Sequence, residues 1–241
     1  MLHKTRGIVF KTIPYAESSV IAHIYTEKFG MQAYLINGVK KPKAKISGNM
    51  LQALHLLDMV VYHKPHGNLQ RIAELKNAPV LQHIPYHIVK SAIALFLNEV
   101  LYKAVKHPAP DEPLFEYLFR SVELLDTMTA GLGNFHLYFL IRLTRYLGFY
   151  PDTGLAASAP FFDLKNGIYT AILPNHSWIL QRPHTEYLNQ LLQCSAETLE
   201  RVHIPLAEKR FLLSRLLDYY RLHIDDLGEI KSHRILEELL S

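Results

Sequence analysis

Two runs of alternating apolar and polar side chains lie in residues 20–36, VIAHIYTEKFGMQAYLI. Val20, Ala22 and Ile24 share one side of the first run, because successive side chains of a strand point to opposite faces. The second run, Met31 to Ile36, alternates in the same way. Glu27–Gly30 between the runs is typical of a turn, so the segment predicts an antiparallel hairpin.

Three further strand-like runs flank this hairpin, at Thr5 to Ile13, Leu51 to His63 and Leu69 to Lys76. Ile8 and Phe10 share one face of the first of them, and we expect the long run from Leu51 to bend at a corner. Five short strands without a crossover helix favour a small closed antiparallel barrel such as the OB-fold. An SH3-like barrel is the competing prediction.

After Pro79 the apolar spacing changes to that of helices. The second helix is expected to start after an N-cap at Asp111, with Pro113 in its first turn. The predicted helices are 86–105, from Asp111 onward, 135–147, 183–194, 195–202 with Ser195 as N-cap, 206–223 and 232–240. Residues 152–182 predict an extended excursion or a small hairpin. We therefore predict an α+β chain with a barrel domain at 1–79 and an all-α domain at 80–241.

A lysine-rich segment, INGVKKPKAKISG at 36–48, connects the third and fourth predicted strands. Gly38, Pro42 and Gly48 keep it out of a helix. Its cations are Lys40, Lys41, Lys43 and Lys45. Ammonium groups this close repel one another, so the grouping is explained mainly by a polyanion opposite them, as nucleic-acid phosphates would be. A solvated loop is the alternative that this segment alone leaves open.

Positive charge is concentrated in the N-terminal third of the chain. Residues 1–79 contain 11 Lys and Arg against 4 Asp and Glu, a net charge of +7, whereas residues 80–241 have a net charge of −3. The overall +4 hides this difference. The asymmetry favours nucleic-acid binding by the predicted barrel.

Further candidate residues lie outside the lysine-rich segment. In the barrel, Arg6, Lys11 and Arg71 are weaker candidates for phosphate contacts. Aromatic residues that bases could stack on, or that could simply fill the core, are Tyr15, Tyr25, Phe29, Tyr34 and Tyr62. In the helical part, Arg142 and Arg145 share a helix face and could frame a groove for an acidic peptide or for phosphates, with a solvated rim as the alternative.

Several functional classes lack their sequence signals. Cys194 is the only cysteine, which excludes an intrachain disulfide and a thiolate metal cluster, and we expect neither a metal nor a cofactor. No phosphate-binding Gly-x-x-x-x-Gly-Lys loop or Gly-x-Ser-x-Gly elbow occurs, so we expect no enzyme activity. The polar start at Met1 to Gly7 and the lack of an apolar run of ~20 residues predict a soluble protein of a reducing compartment, the cytoplasm. With DNA binding by the barrel, we expect it to be nucleoid-associated.

Taken in order, these features resemble the bacterial DNA repair protein RecO family over nearly the whole chain. Near the start, Gly7–Lys11, Tyr15–Ser19 and Tyr25–Gly30 resemble its first two strands and turn, and Asn37–Lys41 resembles its basic loop. Arg142-Leu143 with Leu147–Pro151 resembles the end of a helix in its C-terminal domain. The segments Tyr219–His223 and Lys231–Leu236 are similar to its final two helices.

The resemblance implies an N-terminal OB-fold and a helical C-terminal domain. It implies binding of single- and double-stranded DNA, annealing of complementary strands, and help in loading recombinase onto DNA coated by single-strand-binding protein. The implied partners are RecR and the acidic, Phe-ended tail of single-strand-binding protein. Many members carry a four-cysteine zinc module, but residues 152–182 contain no cysteine. We therefore expect the hairpin around Phe161–Gly167 to be held by packing alone.

We predict a non-catalytic DNA-binding mediator of recombinational repair. One alternative is another OB-fold module, such as an RNA-binding protein. The other is a helical hydrolase with its site in residues 152–182, although no nucleophile motif supports it.

Overall fold

The computed structural model describes residues 1–41, 44–65, 67–106, 109–155 and 158–239. The chain divides into two compact units, residues 1–127 and 128–241. Helices α1 (Ile88–Ala104) and α2 (Glu112–Thr127) therefore belong to the same compact unit as the strands of the N-terminal 79 residues. The domain boundary near residue 79 stays a prediction. Within the described residues, no helix is both long and apolar enough to cross a membrane.

Five strands form a closed barrel in the first unit, in the order β1-β2-β3-β5-β4. All neighbours are antiparallel except β3 and β5, which pair in parallel. The strands are β1 (Leu2–Pro14), β2 (Val20–Thr26), β3 (Gly30–Ile36), β4 (Leu56–Tyr62) and β5 (Gln70–Asn77). This closed five-stranded barrel confirms the predicted OB-like architecture, and the hairpin of β2 and β3 has the predicted turn.

The barrel core contains Val20, Ala22 and Ile24, the face that the alternation of β2 indicated. In β1 the residue that belongs to the core cluster is Val9. The pairing register of β1 with β2 shifts between Val9 and Lys11. Ile8 and Phe10 are also buried, although neither belongs to this core cluster. Consequently β1 is buried on both faces here, which alternation alone does not reveal.

Helices α1 and α2 cover the outside of β1 and β2. The Phe10 ring stacks on Tyr25 at 5.8 Å between centroids, and Tyr25 in turn contacts Phe115 of α2 at 6.1 Å. The side chain of Asn98 in α1 donates a hydrogen bond of 2.8 Å to the carbonyl oxygen of Phe10. Part of the outer barrel wall is therefore unavailable to a ligand.

The predicted strand from Leu51 to His63 is wrong in its first part, because β4 begins only at Leu56. Residues Gly48–Leu51 form a 3₁₀ turn, and Leu54 has a positive φ of 60°. The buried Leu51 and Leu54 turn the chain across the barrel end before it enters β4.

The second unit is mainly helical. Its helices are α3 (Leu132–Leu147), α4 (His184–Gln193), α5 (Leu206–His223) and α6 (His233–Leu239). The predicted helix at 195–202 is wrong: Thr198 Oγ1 accepts from the Ser195 backbone nitrogen at 2.9 Å, and only Leu199–Arg201 form a 3₁₀ turn. Residues 107–108, part of the predicted break before α2, lie outside the described residues, but the N-cap at Asp111 is confirmed by a 3.0 Å bond from the Leu114 nitrogen.

A small sheet in the order β7-β6-β8 occupies the region of the predicted excursion. Its strands are β6 (Phe161–Asp163), β7 (Ile168–Thr170) and β8 (Ile179–Gln181). The Asp163 carboxylate accepts hydrogen bonds from the backbone nitrogens of Lys165 and Asn166 at 2.8 and 3.1 Å. Gly167 has a φ of +70°, and a Cβ there would lie 2.7 Å from the Tyr219 hydroxyl oxygen. The expectation that packing alone holds the hairpin is therefore wrong.

Asp126 near the end of α2 holds the segment that leads from the barrel to α1. Its buried carboxylate accepts hydrogen bonds from the backbone nitrogens of Gln82, His83 and Ile84 at 2.8, 2.8 and 2.7 Å. Burial raises the pKa of Asp126, but these bonds and the charge of His83 outweigh it, so that the net pKa lies below its ordinary value. The ionised form therefore stabilises this connection.

We expect Asp126→Asn to lower the free energy of unfolding by about 1–3 kcal/mol, because the new amide NH₂ faces backbone donors. Urea denaturation at pH 7 measures it. The folded-state pKa is depressed, so the carboxylate's contribution is complete above its unfolded pKa of about 3.9 and is lost as the pH falls through the folded value. The stability difference between wild type and variant should therefore shrink in acid, and a constant difference down to the folded pKa would contradict this account.

Candidate nucleic-acid interface

The connection that leaves β3 at Asn37 is joined to the β1–β2 connection. The backbone nitrogen of Val39 donates to the carbonyl oxygen of Ser18 at 2.9 Å, and the Ser19 hydroxyl donates to Oδ1 of Asn37 at 3.0 Å. Gly38, which lies between Asn37 and Val39, has a φ of +74°, a conformation that favours glycine. These bonds fix the start of the lysine-rich segment, residues 37–48, which we call the lysine loop.

Apolar side chains anchor the lysine loop to the barrel. Val39 and Leu51 are buried in the barrel core cluster, and Ile46 packs against it. A Cβ placed on Gly48 would lie 3.7 Å from Cγ1 of Val39, so the two ends of the loop meet. The loop is therefore fixed at both ends.

The lysines of this loop point to solvent. Lys40, Lys41 and Lys45 are all exposed. Lys43 lies outside the described residues. Three of the four predicted lysines thus share one loop at one end of the barrel. A compact cluster of exposed cations is suited to phosphate binding.

Arg71 is exposed on β5, opposite Leu35 of β3 and Tyr62 of β4. Leu35 lies two residues before Asn37, where the lysine loop begins. Arg71 therefore lies on the strand beside the one that enters the loop, as a phosphate contact near the lysines requires.

Lys11 is exposed on β1, but an aromatic ring of α1 holds it in place. Its Nζ lies 4.7 Å from the centroid of the Tyr102 ring. The same ring contacts His23, and the pKa of His23 is lowered, first by burial and then by the Lys11 charge. The Lys11 ammonium group is therefore already in contact with a ring of its own unit.

Arg6 is engaged inside the first unit. Its guanidinium donates to both carboxylate oxygens of Glu27, at 3.2 and 2.9 Å, and also pairs with Glu116. It lies 5.1 and 5.0 Å from the ring centroids of Phe115 and Phe119. Hydrogen bonding to Glu27 is the main reason why the pKa of Arg6 is raised further above its ordinary value. A guanidinium held this way makes a poor phosphate contact, and we leave Arg6 out of the interface.

The five aromatic candidates divide into two groups. Tyr25 and Tyr34 are buried, and Phe29 packs partly against the core and stacks on His63 at 3.9 Å. Tyr15 and Tyr62 are 61% and 47% exposed, so only these two rings of the five offer a surface to a base. Tyr15 lies in the β1–β2 connection that bonds to the lysine loop.

Arg142 and Arg145 both lie on α3, as predicted, but their surroundings differ. The Arg142 guanidinium donates to the carbonyl oxygens of Leu192 and Cys194 at 3.1 and 2.6 Å, where α4 ends. Arg145 is exposed and lies 4.4 Å from the Tyr150 ring centroid. Only Arg145 is accessible to a peptide.

A metal site finds no support in the part of the chain that the structure describes, where no three or more His, Cys, Asp or Glu residues are placed to hold an ion. The small sheet lies where many members of the family that the sequence resembles carry a zinc module, and it has Asp163 and His176 3.3 Å apart and no cysteine. These residues do not fit a structural zinc ion.

Sequence reasoning missed the residues that bring the two connections together. Ser18, Ser19 and Asn37 make their bonds across 18 to 21 residues, and only the family resemblance around Tyr15–Ser19 and Asn37–Lys41 pointed to them.

Comparison with known families gives two matches. The family model described as recombination protein O N terminal matches residues 1–78. The model described as recombination protein O C terminal matches residues 85–233.

Individual relatives match along their full length. The chain is 38% identical over 240 residues to the DNA repair protein RecO of Bacteroides fragilis, and the aligned residues cover 99% of each chain. It is 36% identical over 241 residues to that of Phocaeicola vulgatus, which covers 100% of each, and 31% identical over 244 residues to that of Porphyromonas gingivalis, which covers 99% of each.

We expect Arg142→Ala to lower the free energy of unfolding by about 1–3 kcal/mol, because two carbonyl oxygens lose a charged donor. Arg145→Ala, which removes an exposed side chain from the same helix, should change it by less than about 0.5 kcal/mol. Urea denaturation of both variants measures the difference, and equal losses would contradict the separate roles.

Proposed function

Since the chain belongs to the RecO family of DNA repair proteins, we propose that it acts as a recombination mediator that binds DNA through the lysine loop. The observation that carries the proposal is the exposure of Lys40, Lys41 and Lys45 on one anchored loop. Arg71, on the adjacent strand, and Lys43 complete the proposed contacts. Lys11, whose ammonium group lies over the Tyr102 ring, is proposed as an additional contact outside the loop.

Strand annealing follows from the same charges. Two complementary strands repel each other through their phosphates, and bound ammonium groups lower that repulsion while counterions are released. Base pairing then supplies the sequence matching. The protein performs no bond chemistry in this mechanism, and we propose that it is not an enzyme.

The helical unit is proposed to contact protein partners. Residues 128–241 contain 11 Lys and Arg against 12 Asp and Glu, a net charge of −1, whereas residues 1–127 have a net charge of +5, so the helical unit attracts DNA less than the barrel unit does. We propose RecR and the acidic tail of single-strand-binding protein as partners, through which the chain would help recombinase onto coated DNA. For the tail, Arg145 is the accessible arginine, since Arg142 is bonded to carbonyl oxygens of its own unit.

The direct test is annealing of complementary oligonucleotides coated by single-strand-binding protein, with and without the chain. The proposal predicts faster annealing with the chain, since coating alone holds the strands apart. No acceleration would contradict it. Competition between RNA and single-stranded DNA in the same buffer separates the RNA-binding alternative, which predicts a preference for RNA.

Replacing Lys40, Lys41 and Lys45 by alanine should weaken binding of single-stranded DNA and make it less sensitive to salt. If about four phosphates are engaged, the wild-type slope of log K against log salt is about −3, and losing three contacts should reduce its magnitude by about 2. Fluorescence anisotropy across a salt series measures both. Thermal stability should stay nearly unchanged, because the three side chains are exposed.

The matched control replaces Lys4, Lys28 and Lys76, which are exposed lysines around a separate cleft of about 590 Å³ in the same unit. This variant loses the same charge, so net charge alone would weaken both variants equally. We expect the control to keep most of the wild-type slope. Equal slopes for the two variants would contradict a localised interface.

Arg145→Ala should weaken binding of a labelled acidic, Phe-ended tail peptide by about two- to fivefold, the size expected for one exposed ion pair. Arg201→Ala removes another exposed arginine of the second unit and should leave the affinity unchanged. Fluorescence anisotropy of the peptide measures both, and normal binding by the Arg145 variant would remove this assignment.

A further inference from the structure

A second cleft, of about 340 Å³, lies in the first unit between the 3₁₀ turn and the segment that connects β5 with α1. The side chains that matter for its chemistry are Asn49, Gln52, His55, Asn77, Pro85 and Tyr86. Its volume is at the lower end of the range for small-molecule sites and is large enough for one planar heterocycle with its sugar. None of the described residues that line it is Asp, Glu, Lys or Arg.

Three residues with side-chain amides line this cleft, namely Asn49, Gln52 and Asn77. An amide presents a donor and an acceptor side by side, which matches the edge of a nucleobase. Nδ2 of Asn77 donates to the Met50 carbonyl oxygen at 3.2 Å and lies 3.1 Å from Nδ1 of His55. Asn77 is thus held by its amide nitrogen, and its amide oxygen is the atom it can offer to a ligand.

An aromatic ring stands at the edge of the cleft. Tyr86 lines the cleft and is 87% exposed. It lies in a turn after Pro85, and its backbone nitrogen donates a hydrogen bond of 3.0 Å to the carbonyl oxygen of His83. Exposing a tyrosine to this extent leaves an apolar face in water, and a stacked base would cover it. Amides and an exposed ring together are the two elements with which proteins hold an unpaired base.

The cleft is adjacent to the lysine loop. A Cβ placed on Gly48 would lie 3.7 Å from Cγ1 of Val39, and the chain neighbours of these two residues are Asn49 of the cleft and Lys40 of the loop. A strand whose phosphates lie on Lys40 and Lys41 would therefore pass the cleft opening. Burial is the main reason why the pKa of His55 is lowered, which keeps the cleft neutral at physiological pH. A neutral cleft beside a cationic loop suits a base beside its phosphates.

We propose that this cleft receives one unstacked base of a single DNA strand, with the ring on Tyr86 and the base edge on the amides. The inference rests on the proposed DNA binding by the lysine loop and adds a subsite for a base. It distinguishes this chain from one that contacts phosphates alone.

The test compares a short oligo-dT with an abasic oligonucleotide of the same length, which keeps the phosphates and lacks the bases. The full-length wild-type chain should bind oligo-dT about five- to 150-fold more tightly than the abasic strand. Tyr86→Ala should lose most of that preference and bind the abasic strand as the wild type does, with an unchanged salt slope. Tyr86→Phe keeps the ring and should behave as the wild type.

A second variant, Asn49→Ala with Gln52→Ala, removes two exposed amides and leaves the ring. It should also weaken oligo-dT binding and leave abasic binding unchanged. Ile88→Ala, an exposed apolar residue at the start of α1, is the control for the loss of surface apolar area. Urea denaturation checks that each variant is folded.

Two results would overturn the inference. One is a wild type that binds the abasic strand as tightly as oligo-dT, and the other is a Tyr86→Ala variant that retains the full preference. Either result, together with a normal salt slope, leaves the lysine loop as the DNA contact and removes only the base subsite. A wild type that binds neither strand would instead overturn the proposed DNA binding itself.

Discussion

The insertion of Val39, Ile46 and Leu51 against the end of the barrel is the interaction on which the proposed interface depends. Two ammonium groups about 10 Å apart in water repel by only about 0.4 kcal/mol before salt screens them. Burying one Val, Ile or Leu side chain contributes about 1.5–3 kcal/mol. The apolar contacts therefore outweigh the repulsion, and the loop can keep its cations together without a ligand. The charge is held ready for a polyanion at little cost to folding.

The parts of the fold that follow from sequence are those in which the two faces of a strand differ in burial. The alternation in residues 20–36 was sufficient for β2, β3 and their turn, because Ile21 and His23 on the outer side of β2 are only half-buried, whereas Val20, Ala22 and Ile24 lie in the core. The same reasoning predicted β1 as a strand but could not assign its core-facing side, because Ile8, Val9 and Phe10 are all buried where α1 and α2 cover its outer side. Residues 195–202 have helical spacing, yet only Leu199–Arg201 form a 3₁₀ turn there.

In the candidate site, too, some residues could be predicted from sequence and others could not. A lysine beside glycine and proline in a loop is exposed because burying an unpaired ammonium group is too costly, so Lys40, Lys41 and Lys45 could be predicted from local sequence. The internal contacts of Arg6 and Arg142 could not be predicted from local sequence. Arg6 meets Glu27 and Glu116, which are 21 and 110 residues away, and Arg142 meets carbonyl oxygens about 50 residues away. Such partners are visible only after the chain has folded.

A protein that promotes annealing has to hold two strands and still leave their bases free to pair. Phosphate contacts meet this requirement, because they neutralise the strands without touching the base edges. A cleft with room for one base, lined by the amides of Asn49, Gln52 and Asn77, would add affinity and register while it occupies a single nucleotide. The neighbouring bases would remain unstacked and accessible. The ring of Tyr86 would bind a base by stacking, whereas the lysine loop would bind phosphates by charge. Salt therefore weakens the phosphate contacts and leaves the stacking contact almost unchanged. The two contacts would therefore contribute separately to binding, and pairing of the held base with its complement would release the strand from the cleft.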